Sequence, residues 1–170
     1  MFKSQLFQIK IPIGQRNTLP SNMDQKHSQH LIHLGTYGEN LAQTYLENDG
    51  YVIEAHNWRG HRGELDLIVR KNRILVIVEV RTTSTSWLER PAEAIPLSKQ
   101  KQVARCTDEY MMQRGHVSAS EIDHIRFDVI GLFIPKGSVD LMSKPKLEHI
   151  STHKIVIDHV ENAYTALWAF

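Results

Sequence analysis

Two runs of alternating apolar and polar positions face each other across a polar pair in the middle of the chain. Leu65, Leu67 and Val69 fall on one side of the first run. Ile74, Val76, Val78 and Val80 fall on one side of the second. Side chains alternate faces along a strand, so the pattern predicts strands over residues 64–70 and 73–81. Both apolar sets belong in one core, because a one-residue slip would turn either set outward. With a two-residue turn at Lys71-Asn72, Glu64 is expected opposite Glu79 and Asp66 opposite Ile77. Glu64, Asp66, Glu79 and Arg81 then share the second face with Ile68, Leu75 and Ile77.

The rest of the chain follows the same periodicity logic. Leu41, Ala42, Tyr45 and Leu46 make a helical stripe, predicting a helix over residues 36–49 closed by Gly50. Residues 51–58 read as a first strand, and 60–63 as a basic loop. Residues 82–96 read as a long polar connection. A second helix is expected over 98–114, with Val103, Thr107, Tyr110 and Met111 inward. A loop over 115–123 and a strand over 125–134 come next. A short strand over 146–150 and a short helix over 160–167 complete the reading. Residues 1–30 read as a flexible polar extension, with residues 6–13 as a loosely held strand, and 31–170 as one domain. A helix between strands 73–81 and 125–134 implies that they run parallel. The fold class is therefore α/β, a sandwich with a central mixed β-sheet flanked by helices.

Composition narrows the function classes without choosing one. A chain of 170 residues is long enough for one full core, and 41% hydrophobic with 23% charged residues is ordinary for a globular protein. The longest aliphatic run is Ile74–Val78, too short to span a membrane, so no membrane partner is expected. No long apolar stretch ending in a small-residue cleavage site opens the chain, and no signal peptide is expected. Cys106 is the only cysteine, which excludes an intrachain disulfide and fits a cytoplasmic, reducing setting. It falls within the second helix, where packing explains it better than nucleophilic chemistry.

The net charge of +1 does not advertise a nucleic-acid binder. The basic residues nevertheless cluster: Arg59, His61, Arg62, Arg70, Lys71, Arg73, Arg81, Lys99, Lys101 and Arg105 all lie in the middle of the chain. A local basic surface matters more than the total.

The chemistry lies on the acidic hairpin. Like charges directly opposite each other cost roughly 0.2–1 kcal/mol. Three carboxylates on one face therefore need a compensating cation, either Arg81 or a bound metal. Carboxylates suit Mg²⁺ or Mn²⁺. An exposed face with cross-strand ion pairs is the plainer explanation of the same residues.

Gly38-Glu39, Gly63-Glu64-Leu65-Asp66, Val78-Glu79-Val80-Arg81, Ser98-Lys99-Gln100 and Arg126-Phe127-Asp128-Val129 together resemble the YraN-like uncharacterised protein family of bacteria. The resemblance spans residues 34–134, and Asp158–Ala163 is similar to that family's tail. The family is similar to the PD-(D/E)xK endonuclease superfamily and to archaeal Holliday-junction resolvases. The resemblance implies a restriction-endonuclease-like fold and a metal-dependent endonuclease hydrolysing phosphodiester bonds in DNA, branched or damaged DNA included. It implies Mg²⁺ or Mn²⁺ held by Asp66 and Glu79, with Glu39 completing the site directly or through water. Arg81 stands where the superfamily usually has the lysine of E-x-K. Arginine stays charged and can only donate hydrogen bonds, so the task of that lysine falls to another group. Lys99 is the candidate substitute. It lies near a helix start, where a cation is mildly unfavourable.

Other readings compete at several positions. Thr36 and Glu39 also fit a capping box, which would occupy Glu39 at the helix start. Glu64 reads as an outer carboxylate or a partner of Arg81. Lys99 taken alone reads better as a solvated lysine. His27, His30 and His33 have metal-compatible spacing, although i and i+6 diverge on a helix. Trp58 and Trp87 flank the site in sequence and could stack on a base, while packing explains Trp58 better. The alternative function is a catalytically inactive nucleic-acid-binding module with the same fold. Action on a two-fold junction would favour a homodimer.

Overall fold

The computed structural model describes residues 22–85, 95–119 and 121–165. Five strands form one open sheet in sequence order: β1 (Val52–Gly60), β2 (Gly63–Lys71), β3 (Ile74–Thr83), β4 (His124–Phe133) and β5 (Val156–Val160). Neighbours pair antiparallel except β3 and β4, which run parallel. Helix α1 (Asn22–Asn48) precedes the sheet, α2 (Leu97–Ala119) makes the β3–β4 crossover, and α3 (Glu148–Thr152) precedes β5. This is the expected α/β architecture with a mixed sheet between helices.

The two faces of the sheet carry separate cores. Leu34, Tyr37, Leu41, Ala42 and Leu46 recur at helical spacing on α1 and bury against Leu67, Val69, Val76, Val78, Ile130 and Leu132. On the other face, Val103, Ala104 and Cys106 of α2 bury against Leu65, Ile68, Leu75, Ile77 and Phe127. Cys106 is thus a packing residue. The ends of α1 and α2 are both marked by glycine. Gly50 turns left-handed at φ 82°, and the Tyr51 amide donates to Leu46 O at 3.0 Å. Gly115, at φ 79°, breaks α2, so the helical reading over 98–114 describes its regular part.

Several expectations need correction. The hairpin turns at Asn72-Arg73, with Asn72 at φ 58°, and Leu67 pairs with Val78. That register lies two residues from the expected one. It keeps the parity that core burial demands, and one further rung would set Asp66, not Glu64, opposite Glu79. Leu65 joins the α2 core rather than that of Leu67, because pairing with β3 stops at Leu67. Helix α1 starts at Asn22 and so runs through the boundary drawn at residue 30. Residues 22–33 lack a broad apolar stripe, and Leu31 and Ile32 are exposed. Thr36 is consequently mid-helix, and the capping box does not form. Residues 148–152 are helical rather than a strand; the strand comes at Val156–Val160, and 161–165 form no helix. Residues 6–13, 166–167 and Trp87 lie outside the described residues.

Candidate active site

The hairpin and α2 bring a carboxylate pair and a lysine together. Glu79 is only 5% exposed, and its Oε2 lies 3.1 Å from Lys99 Nζ. Asp66 Oδ2 accepts a hydrogen bond from the Val80 amide at 2.8 Å. Burial, then repulsion from Glu79 and Glu39, push the Asp66 pKa up to about 7, against the lowering effects of the Val80 amide and Lys99. A carboxyl whose pKa is raised by desolvation and then by a second carboxylate is an arrangement more common at functional sites than elsewhere.

Glu39 reaches the same region from α1. Gly38 makes this approach feasible: a Cβ there would lie 1.9 Å from Thr82 Oγ1 on β3. Glu39 Oε2 accepts from Asn57 Nδ2 at 3.0 Å and lies 3.7 Å from His56 Nε2. Asn57 sits in β1 with φ 51°, between the pairs His56–Leu67 and Trp58–Leu65 and therefore across from Asp66. A left-handed residue inside a strand is uncommon, and such backbone outliers concentrate at functional sites. Sequence reasoning missed Asn57, since nothing in its spacing sets it apart.

Tyr164 was missed as well. Its hydroxyl is buried without a hydrogen-bond partner among the described residues. Burial, with Glu79, Asp66 and Asp128 nearby, raises its pKa. The ring stacks on Phe127 at 5.3 Å between centroids. The usable signal was the aromatic residue that directly follows the Asp158–Ala163 stretch.

The other candidates stand apart. Arg81 is exposed and makes no hydrogen bond or ion pair among the described residues. Glu64 pairs with Arg59 at 3.5 Å on the surface, not with Arg81. Trp58 packs edge-on to Tyr110 against the α2 core. His30 and His33 line a separate cleft of 290 Å³ with Lys136 and Asp140. Asp128 of the Arg126–Val129 motif is fully buried, held by Arg126, His159 and the Asn162 amide, which makes it a structural anchor.

Among the described residues, no three His, Cys, Asp or Glu side chains are gathered as a ready metal nest. The pair Asp66–Glu79 still has the oxygen chemistry for Mg²⁺ or Mn²⁺, which typically takes one or two carboxylates plus waters and phosphate oxygens. Its surplus negative charge, written in the raised Asp66 pKa, is what a divalent cation would relieve.

An open mixed sheet between helices, with an acidic pair of half-buried Asp66 and buried Glu79 on a central hairpin, defines an α/β sandwich protein with an acidic candidate site. The chain belongs to the uncharacterised protein family UPF0102, whose model matches residues 38–132. A UPF0102 protein of Bacteroides thetaiotaomicron is 42% identical over 106 residues, which is 62% of this chain and 83% of that protein. One from Rhodococcus jostii is 36% identical over 71% of this chain and 95% of its own length. One from Alkaliphilus oremlandii is 36% identical over 77% and 97%. No helix among the described residues is long and apolar enough to cross a membrane.

Proposed function

We propose that this protein is a metal-dependent endonuclease acting on DNA. The observation that carries the reading is the pairing of half-buried Asp66 with buried Glu79, with Lys99 against Glu79. Asp66 and Glu79 would hold Mg²⁺ or Mn²⁺, and Glu39 supports the site from α1. The chemistry a bound cation supplies there is a more acidic water and neutralisation of phosphate charge. Lys99 takes the place of the E-x-K lysine: it reaches Glu79 from α2, and its charge can hold a phosphate oxygen or the attacking water. Arg81 is exposed and unpaired among the described residues, which leaves it able to meet a phosphate of the same strand.

The test is cleavage of labelled linear, single-stranded, flapped and four-way-junction DNA with Mg²⁺ or Mn²⁺. Cutting is expected to require metal and to fall at least a hundredfold in Asp66→Asn and Glu79→Gln, since each would lose a metal ligand. One observation favours a second reading, a nuclease-fold module that binds nucleic acid without turnover. Lys99 already neutralises Glu79, so the acidic pair is partly balanced without metal. DNA binding indifferent to metal, with every substrate left intact, would select it.

A further inference from the structure

Most of the arginines among the described residues are committed to carboxylates. Arg59 meets Glu64, Arg70 and Arg114 meet Glu54, Arg73 meets Asp123, and Arg126 meets Asp128. Among the described residues, Arg62, Arg81 and Arg105 have no carboxylate within ion-pair distance. Arg81 lies two residues along β3 from Glu79. Arg62 lies in the β1–β2 turn and Arg105 on α2, both exposed, and they line one cleft of 390 Å³ with His61 and Asp108.

The cleft is held in shape. The β1–β2 turn is pinned to α2 by Glu109, which accepts from the His61 amide at 3.0 Å and lies 2.6 Å from His61 Nδ1. Gly63 holds the turn at φ 138°, a backbone conformation that side-chain-bearing residues rarely adopt. Glu109 is thereby occupied and does not compete for Arg62 or Arg105. Asp108 is the one remaining acid of the cleft, and Arg62 lowers its pKa against the larger effect of burial. His61 also borders a second cleft of 570 Å³, lined by Arg59, Gly63, Glu64, Lys99 and Gln102. Lys99 connects that cleft to Glu79. Lys101, exposed one turn before Arg105, stands on the same helix. Arg105, Arg62 and Lys99, with Arg59 held by Glu64 between them, thus lead toward the acidic pair.

We propose that Arg62 and Arg105 form a phosphate rail that carries the backbone of DNA across α2 and the β1–β2 turn into the Asp66–Glu79 site. The proposal rests on the nuclease reading for what happens at the end of the rail, but the rail itself is a binding surface. It reads phosphates rather than bases, since arginines at a surface cleft contact backbone oxygens without sequence information. Binding should therefore be sequence-independent and steeply dependent on salt.

The test is fluorescence anisotropy of a labelled DNA duplex and a four-way junction in EDTA, so that no cleavage intervenes, across a series of salt concentrations. Arg62→Gln and Arg105→Gln are each expected to weaken binding about eightfold near 0.1 M salt and to lower the log–log salt slope by about 0.9. Arg73→Gln, at the distant β2–β3 turn, is expected to bind like the unaltered protein. If the protein binds DNA and both rail variants keep its affinity and slope, the rail is overturned while the nuclease reading stands. If the unaltered protein binds no DNA even at low salt, both are overturned. Circular dichroism of the variants checks the fold, and Arg→Lys at both rail positions should restore most of the affinity.

Discussion

At the scale of single residues, the decisive feature is the environment of Asp66. Its folded pKa of about 7 lies above the usual carboxylate value because of burial and the neighbouring Glu79. A carboxyl whose pKa is raised by folding contributes stability that is present at low pH and lost as pH rises. The loss should begin near pH 4 and be complete just above pH 7. Asp66→Asn keeps an acceptor for the Val80 amide but removes the charge. The variant is expected to be more stable than the unaltered protein at pH 8 and level with it at pH 4. Urea unfolding at several pH values checks this, and a flat difference across the range would refute it. Addition of Mg²⁺ or Mn²⁺ at pH 8 should shrink the gap by stabilising only the unaltered protein.

The same scale shows what could be read in advance. The faces of Leu67, Val69, Val76 and Val78 were legible because core burial imposes parity along the paired part of the hairpin, and Leu65, which joins the other core, departs from it beside Asp66. The partner of Glu79 was not. Arg81 and Lys99 are both cations within reach along the chain, and only the packing of α2 decides which one turns toward the carboxylate. Asn57 and Tyr164 were invisible because their roles arise from a backbone distortion and from a chain end folding back, neither of which has a periodicity.

At the scale of elements, α1 is placed by Gly38. A methyl group there would meet the β-branched Thr82 on β3, whose side chain has few rotamers to retreat into. Gly38→Ala is expected to cost about 1–3 kcal/mol by overpacking, despite the better helix propensity of alanine. Thr82→Ala should recover much of that loss in the double variant, and a thermodynamic cycle measures the coupling. Additive effects would show that α1 does not rest on Thr82. Helix boundaries were less legible than strand faces. The first turns of α1 bury almost nothing, so no stripe announces them. The strand expected at residues 146–150 was drawn from a short apolar pattern that a single helical turn satisfies equally well.

At the scale of the whole molecule, the sheet is closed on its β5 side by a buried polar anchor. Arg126 donates to Asp128 at 2.8 and 2.9 Å, to Tyr51 and to Glu161, joining β4 to the start of β1 and to the segment after β5. Asp128 is fully buried, so removing Arg126 leaves an anion supported by His159 and the Asn162 amide alone. Arg126→Met is expected to destabilise the fold by about 3–5 kcal/mol in chemical denaturation. Lys146→Ala, which breaks an exposed pair with Glu148, should cost less than about 1 kcal/mol. Equal effects would remove the distinction between anchor and surface pair.

The order of strands also has a consequence in time. Asp66 and Glu79 belong to one hairpin, whereas Lys99 belongs to the helix of the parallel crossover. Hairpins close in microseconds, while pairings across long loops come later. During folding the two carboxylates therefore meet before their cation arrives, and their repulsion falls on the step that nucleates the sheet. Refolding should accelerate as pH drops from 8 to 6 in the unaltered protein and stay flat in Asp66→Asn, as stopped-flow fluorescence would reveal. A site built to attract a cation would then also set how fast the chain becomes a protein.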